Sequence, residues 1–238
     1  MALPKLTTPE YMITLPSTGE EIKFRPFLVK EEKVLLIALE SEEESTINDA
    51  IMNIVNECTF GQSGFVDTPL FEIEYLFINI RGKSIGDVVK VSVTCPDDNE
   101  TQVDVEIELD KINVLVDDEH TNIIDLNDDI KMVMSYPTTQ TTKVLTSRKE
   151  GVSDTEASFD LLQNCVAEIH DGDTIYNKAD ISSKEMTEFF ESMNQDMLEK
   201  INKFFDTMPK VKHIMKVKNP KTKKTSEVTL EGLADFFG

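Results

Sequence analysis

The chain has 238 residues, 39% of them hydrophobic, and a formal net charge of −21. That length can bury a core in one large domain or two small ones, and the apolar share is too rich for a disordered chain. No apolar run reaches the ~18 residues of a membrane span, and so acidic a chain does not suit sequence-independent binding to nucleic acid.

Tyr11 to Leu15 alternates and meets the turn-rich Pro16-Ser17-Thr18-Gly19, after which Ile22 and Phe24 share a face; this reads as an opening β-hairpin. From Leu28 to Leu39 the period becomes helical. Glu31 and Glu32 fall in the first turn, where negative charge suits the helix dipole. The run Val34-Leu35-Leu36-Ile37-Ala38-Leu39 is apolar all round, which predicts a deeply buried helix. Glu40 to Glu44 is a solvated connection. Ser45 or Thr46 then caps a second helix with Ile47, Ala50, Ile51, Ile54, Val55 and Cys58 on one stripe. Cys58 continues that stripe and reads as a core thiol. Gly61-Gln62-Ser63-Gly64 is a loop, and Leu70 to Arg81, led in by Asp67-Thr68-Pro69, is a third helix, apolar on most faces.

From Asp87 the period switches to two. Val89, Val91 and Val93, a turn at Pro96-Asp97-Asp98-Asn99, then Val103, Val105, Ile107 and Leu109 make a β-hairpin. Asn122 to Leu126 and Ile130 to Met134 are strand-like. A helix is expected from about Ser153 to His170, ended by Asp171-Gly172-Asp173 with Gly172 as C-terminal cap. The longest pattern runs from Glu185 to Met208 as one expected helix, opened by a Ser182/Glu185 capping box and stopped by Pro209. Its stripe holds Phe189, Met193, Met197 and Phe204 among ten apolar residues, a composition that either faces the core or docks a partner protein. A last hairpin follows, His213 to Lys218 and Ser226 to Leu230 about the turn Asn219-Pro220-Lys221-Thr222. It faintly echoes the hairpin at 88–109. The chain closes on an apolar segment with Phe236 and Phe237.

These elements predict an α+β fold: an N-terminal hairpin plus helices, central antiparallel β-hairpins, and C-terminal helices with a basic β-hairpin. The composition shifts divide it at 1–86, 87–136 and 137–238. Charge follows the division unevenly. From Lys200 to the C-terminus nine Lys face four acidic residues, a net of +5, while the preceding part carries −26. Such a body suits steering of a basic protein partner. Lys216, Lys218, Lys221, Lys223 and Lys224 concentrate on the last hairpin, and with the Phe/Met stripe and Phe236/Phe237 they are the candidate partner-binding residues.

No catalytic constellation emerges. His120, His170 and His213 lie far apart, with no HExxH, GxSxG, GxGxxG or Walker sequence. Cys95-Pro96 has the look of half a zinc knuckle whose further ligands are missing, so no metal or cofactor is expected. Cys58, Cys95 and Cys165 form no CxxC pair, and Met1 to Leu6 lacks the apolar core of a signal peptide; the expectation is reduced thiols in a cytosolic setting. Arginine is scarce, three against 21 Lys. Arg25 and Arg81, each at the end of an apolar element, either tie a carboxylate or helix end into the fold or are surface charges.

Phe24-Arg25-Pro26-Phe27-Leu28-Val29-Lys30-Glu31-Glu32-Lys33 is a distinctive run. With Cys58-Thr59-Phe60-Gly61, Phe71 to Phe77, Ile80-Arg81-Gly82-Lys83-Ser84-Ile85-Gly86, the opening Ala2-Leu3-Pro4 and the closing Leu230 to Phe237, it resembles a baseplate hub protein of T-even-like contractile-tailed bacteriophages. The likeness is clearest over about residues 1–135. It implies a non-enzymatic hub subunit or hub assembly factor whose partners are other phage baseplate hub and tail proteins, with no nucleic acid, no membrane and self-association left open. The implied setting is the host bacterial cytoplasm during tail assembly, or the virion baseplate. Related sequences can carry further cysteines at the hairpin turns; this chain has Cys95 alone. The rival reading is an acidic decoy for a host nucleic-acid-binding protein, which would need acids spaced like phosphates, whereas here many alternate along strands.

Overall fold

The computed structural model describes residues 6–41, 43–61, 65, 67–141 and 153–237. The loop expected at Gln62–Gly64 and the opening Ala2-Leu3-Pro4 lie outside them. In chain order the elements are β1 (Tyr11–Thr14), β2 (Glu21–Phe24), α1 (Val29–Glu40), α2 (Glu44–Cys58), α3 (Leu70–Ile85), β3 (Val88–Thr94), β4 (Gln102–Glu108), β5 (Asn113–Leu115), β6 (Ile123–Asp125) and β7 (Ile130–Met134). Then come α4 (Asp154–Asn164), β8 (Val166–Asp171), β9 (Thr174–Asn177), α5 (Ser183–Glu191), α6 (Gln195–Thr207), β10 (Lys210–Lys218), β11 (Thr225–Glu231) and α7 (Gly232–Phe237). All strand pairs are antiparallel and the fold is α+β, as expected.

The contacts group into two compact units, one of residues 1–65, 71–115 and 210–238, the other of 66–70 and 116–209. In the first, period-two patterning makes hairpin β1–β2, where Tyr11 pairs with Phe24 and their rings lie 5.5 Å apart. The stripe of α2 packs with Phe24, Phe27, Ile73, Leu76, Phe77 and Ile80 into one core, and Leu233 and Phe237 of α7 join it. Hairpin β3–β4 aligns Val89 with Ile107 and Val93 with Val103. The sheet β11–β10–β5 closes the unit, with Val211 opposite Val114.

In the second unit, sheet β6–β7–β8–β9 packs with α4, α5 and α6 around Met132, Met134, Val166, Ile201 and Phe204. Two expectations are corrected here. The helix expected to reach His170 ends at Asn164, and the chain turns at once into β8. Val166 and Ile169 fit either a helical stripe or a strand, but Asp171-Gly172 followed by Thr174-Ile175-Tyr176 is hairpin chemistry, and Gly172 at φ +55° occupies the two-residue loop instead of capping a helix. The Glu185–Met208 pattern is two helices, not one. The Ser182/Glu185 capping box opens α5 as read, but Asn194 caps a fresh start, its side chain accepting the Met197 N–H at 2.9 Å. An asparagine at this position favours capping over helix continuation.

Candidate docking surfaces

The tips of hairpins β3–β4 and β10–β11 share one local geometry. Cys95 O accepts the Asn99 N–H at 2.9 Å, and Asn219 O accepts the Lys223 N–H at 3.0 Å. Asn99 and Lys223 both take left-handed backbone, at φ +54° and +65°. The two turns are also pinned to each other. Buried Asn219 donates its side-chain amide to Asp97 and Asp98, each at 2.9 Å, and Thr222 Oγ1 donates to Asp97. Asp98 further accepts the Thr101 hydroxyl at 2.6 Å and the Thr101 and Glu100 amides. Hydrogen bonds from Thr222 and Asn219 hold Asp97 below the usual carboxylate range, and those from Thr101 and Asn219 do the same to Asp98. At the four places where paired knuckles would present ligands stand Cys95, Asp98, Asn219 and Thr222. One thiol, one carboxylate and two neutral oxygen-bearing side chains do not fit a structural zinc, which takes cysteine and histidine. Burial, with Asp97 and Asp98 nearby, raises the Cys95 thiol and keeps it protonated. Hydrogen bonds here take the bridging role a metal would have.

This pin fixes a basic tip. Lys216, Lys218, Lys221, Lys223 and Lys224 are all exposed. Lys223 Nζ donates to Pro220 O at 2.7 Å, bracing the turn. Lys210 and Lys212, lower on the same strand, are spent on Glu231 at 2.9 and 3.1 Å. The structure therefore gathers the five predicted lysines at one end of a hairpin, in an otherwise acidic chain.

Helix α1 overturns the expectation of deep burial. Of its apolar residues only Ala38 is buried, while Val29, Leu36 and Ile37 are 80%, 54% and 56% exposed. Beside Ala38 and Leu35 the inward side carries a charge: Arg25 Nη2 donates to Glu31 Oε1 at 3.0 Å, and Glu31 Oε2 accepts the Leu28 N–H at 2.6 Å. Burial would raise the Glu31 carboxyl, but the hydrogen bonds from Arg25, the Leu28 amide and Lys30 hold it below its ordinary value. Arg25 also donates its backbone N–H to Cys58 O at 2.9 Å, so it ties β2 to both helices. Arg25 is thus a tie, not a surface charge. Arg81 stacks 4.6 Å from the centre of the Phe237 ring and leaves Nη1 without a hydrogen-bond partner among the described residues. The Cys58 thiol, desolvated by burial, is pushed up to about 12 and is a core group.

The Phe/Met stripe is withdrawn from the surface in large part. Phe204 is 2% exposed, and Phe189, Met193 and Met197 lie half-buried against the same core. Phe204 packs on Tyr136 and His120, and His120 bridges Thr207 Oγ1 at 2.9 Å and the Tyr136 hydroxyl at 3.0 Å. Phe236 is fully buried and Phe237 meets Phe77 edge-on, so the closing segment is core and not a free hook. For the stripe the reason is its helical spacing, which gives these residues one direction, and that direction has a core to fill. Met193 reaches a groove of about 810 Å³, walled by Phe159, Phe190 and Leu198 with Glu156, Asp160 and Glu191 on its lining.

The family model described as T4 bacteriophage base plate protein matches residues 8–238. This chain belongs to that family. Neither the comparison with curated proteins nor that with solved structures gives a match. Membership makes the protein a base plate component whose contacts are with other phage tail proteins. No helix among the described residues is long and apolar enough to cross a membrane. For a base plate protein, exposed apolar side chains are the natural currency of contact. Those on α1 escaped the sequence reading because a run of consecutive apolar residues carries no direction; the overlooked signal was Arg25 six positions before Glu31.

Proposed function

We propose that the chain is a non-catalytic component of the baseplate hub, either a hub subunit or a factor that assembles it, working through protein–protein contact in the infected cell. Family membership supports the baseplate setting, and the observation that carries the contact mechanism is the pinned lysine tip. Five exposed lysines, two at the end of β10 and three on the turn braced by Asn219 and Asp97/Asp98, form a rigid basic prong, which loses little backbone freedom when it meets an acidic partner surface. The acidic remainder, −26 over residues 1–199, steers basic partners from a distance.

An affinity-tagged chain expressed during infection should co-purify with other hub proteins, and capture should weaken as salt rises. A K216E/K221E/K224E variant with an unchanged melting temperature should lose that capture. Recovery of assembly intermediates and virions in which the wild-type chain accompanies no hub protein defeats the reading.

A further inference from the structure

We infer that α1 is a self-association surface, pairing antiparallel with α1 of a second copy about a two-fold axis between Leu36 and Ile37. At 3.6 residues per turn, Val29, Lys33, Leu36, Ile37 and Glu40 fall within an arc of about 120°. That arc points to solvent, because the opposite side holds Glu31, Ala38 and Leu35 against the body. Arg25 and Glu31 fix the rotation, with side chains only 11% and 7% exposed. With Val34 and Leu39 at the flanks, the apolar patch is on the order of several hundred Å², as large as the largest patch of an ordinary monomer.

The order of charge along the arc selects the occupant. Lys33 stands one turn before the Leu36/Ile37 centre and Glu40 one turn after it. An antiparallel copy brings the Leu36/Ile37 centre of one helix onto that of the other and sets Lys33 against Glu40 twice over. A parallel copy would oppose lysine to lysine and glutamate to glutamate. Among the described residues neither Lys33 nor Glu40 takes part in an ion pair within the chain. A patch with an apolar middle and one charge of each sign at equal distance on either side is complementary to itself, which is the requirement of an isologous interface. The patch is smaller than the ~800 Å² per partner of a standard stable complex, so the dimer is weak and reversible.

Sedimentation of the full chain over about 1–100 µM tests this. The expected result is a monomer–dimer equilibrium in the micromolar range. Leu36→Glu should weaken it at least tenfold, and Lys33→Glu or Glu40→Lys several-fold each. K33E/E40K together should restore it, a recovery that misfolded protein cannot give. Leu36→Cys should cross-link copy to copy on mild oxidation, the three native thiols being buried. A chain that stays monomeric throughout overturns the inference. So does a dimer indifferent to Leu36→Glu, which would use another face, or α1 variants that stay monomeric like wild type while losing a different baseplate protein.

Discussion

Helices α1 and α6 are similar in length and both rich in large apolar side chains, yet α6 turns them into its unit's core and α1 leaves most of them exposed. In α6 the apolar residues keep strict three-and-four spacing, so one stripe enters the core with Ile201 and Phe204 at its centre. In α1 they run consecutively, so no rotation of the helix buries them all, and the buried ionic contact of Arg25 with Glu31 decides which side goes in. Composition measures how much apolar surface a helix has; spacing, or a single well-placed charge pair, determines where it points. The apolar side chains of α6 are spent on the fold, while those of α1 remain available for a neighbour.

Substitutions can break this contrast at either end. Phe204→Ala should cost about 4 kcal/mol of unfolding free energy in urea, since it empties the centre of a packed aromatic cluster. Arg25→Ala should cost about 3 kcal/mol by leaving Glu31 buried without its main partner, while a paired Arg25→Met/Glu31→Leu change should cost far less. If the single and double changes cost the same, the charge pair does not orient α1. Asn219→Ala should lower stability by about 2 kcal/mol through loss of its bonds to both aspartates, and it should free the lysine tip, read as faster amide exchange at Lys221–Lys224. Acid should loosen the same pin. Asp97 and Asp98 are held below their ordinary value of 3.8 in the folded chain, so their contribution is complete above that pH and is lost as pH falls beneath it. Smallest of all, Leu36→Ala should change monomer stability by no more than about 0.5 kcal/mol, although Leu36 sits in a run of consecutive apolar residues.

Hairpins β1–β2, β3–β4 and β10–β11 and helix α2 are legible in the sequence because a period of two or of 3.6 is written within each segment, and turns such as Pro96-Asp97-Asp98-Asn99 mark the ends. Failures came where one pattern serves two structures. Val166 and Ile169 satisfy a helix and a strand alike, and only the Asp171-Gly172 turn beyond them decides. The Phe/Met stripe reads through Ser192–Asn194 because the break shifts the phase little; Asn194 as a cap was the missed cue. The basic hairpin is lysine-rich in the sequence itself, but its bracing rests on Asn219 meeting Asp97 and Asp98, partners more than a hundred positions away. No local rule contains that pairing.

The first unit is completed by its last residues: β10 and β11 build most of a sheet, and Leu233 and Phe237 enter the core laid down by α2 and α3. A growing polypeptide still attached to the ribosome therefore has everything needed for residues 116–209 before it can finish what it began at its amino end, the reverse of the usual vectorial order. A product cut short before β10 would lack β10, β11 and α7 and leave Phe77 and Arg81 uncovered, so the first unit stays unfinished until residues 210–237 have been made.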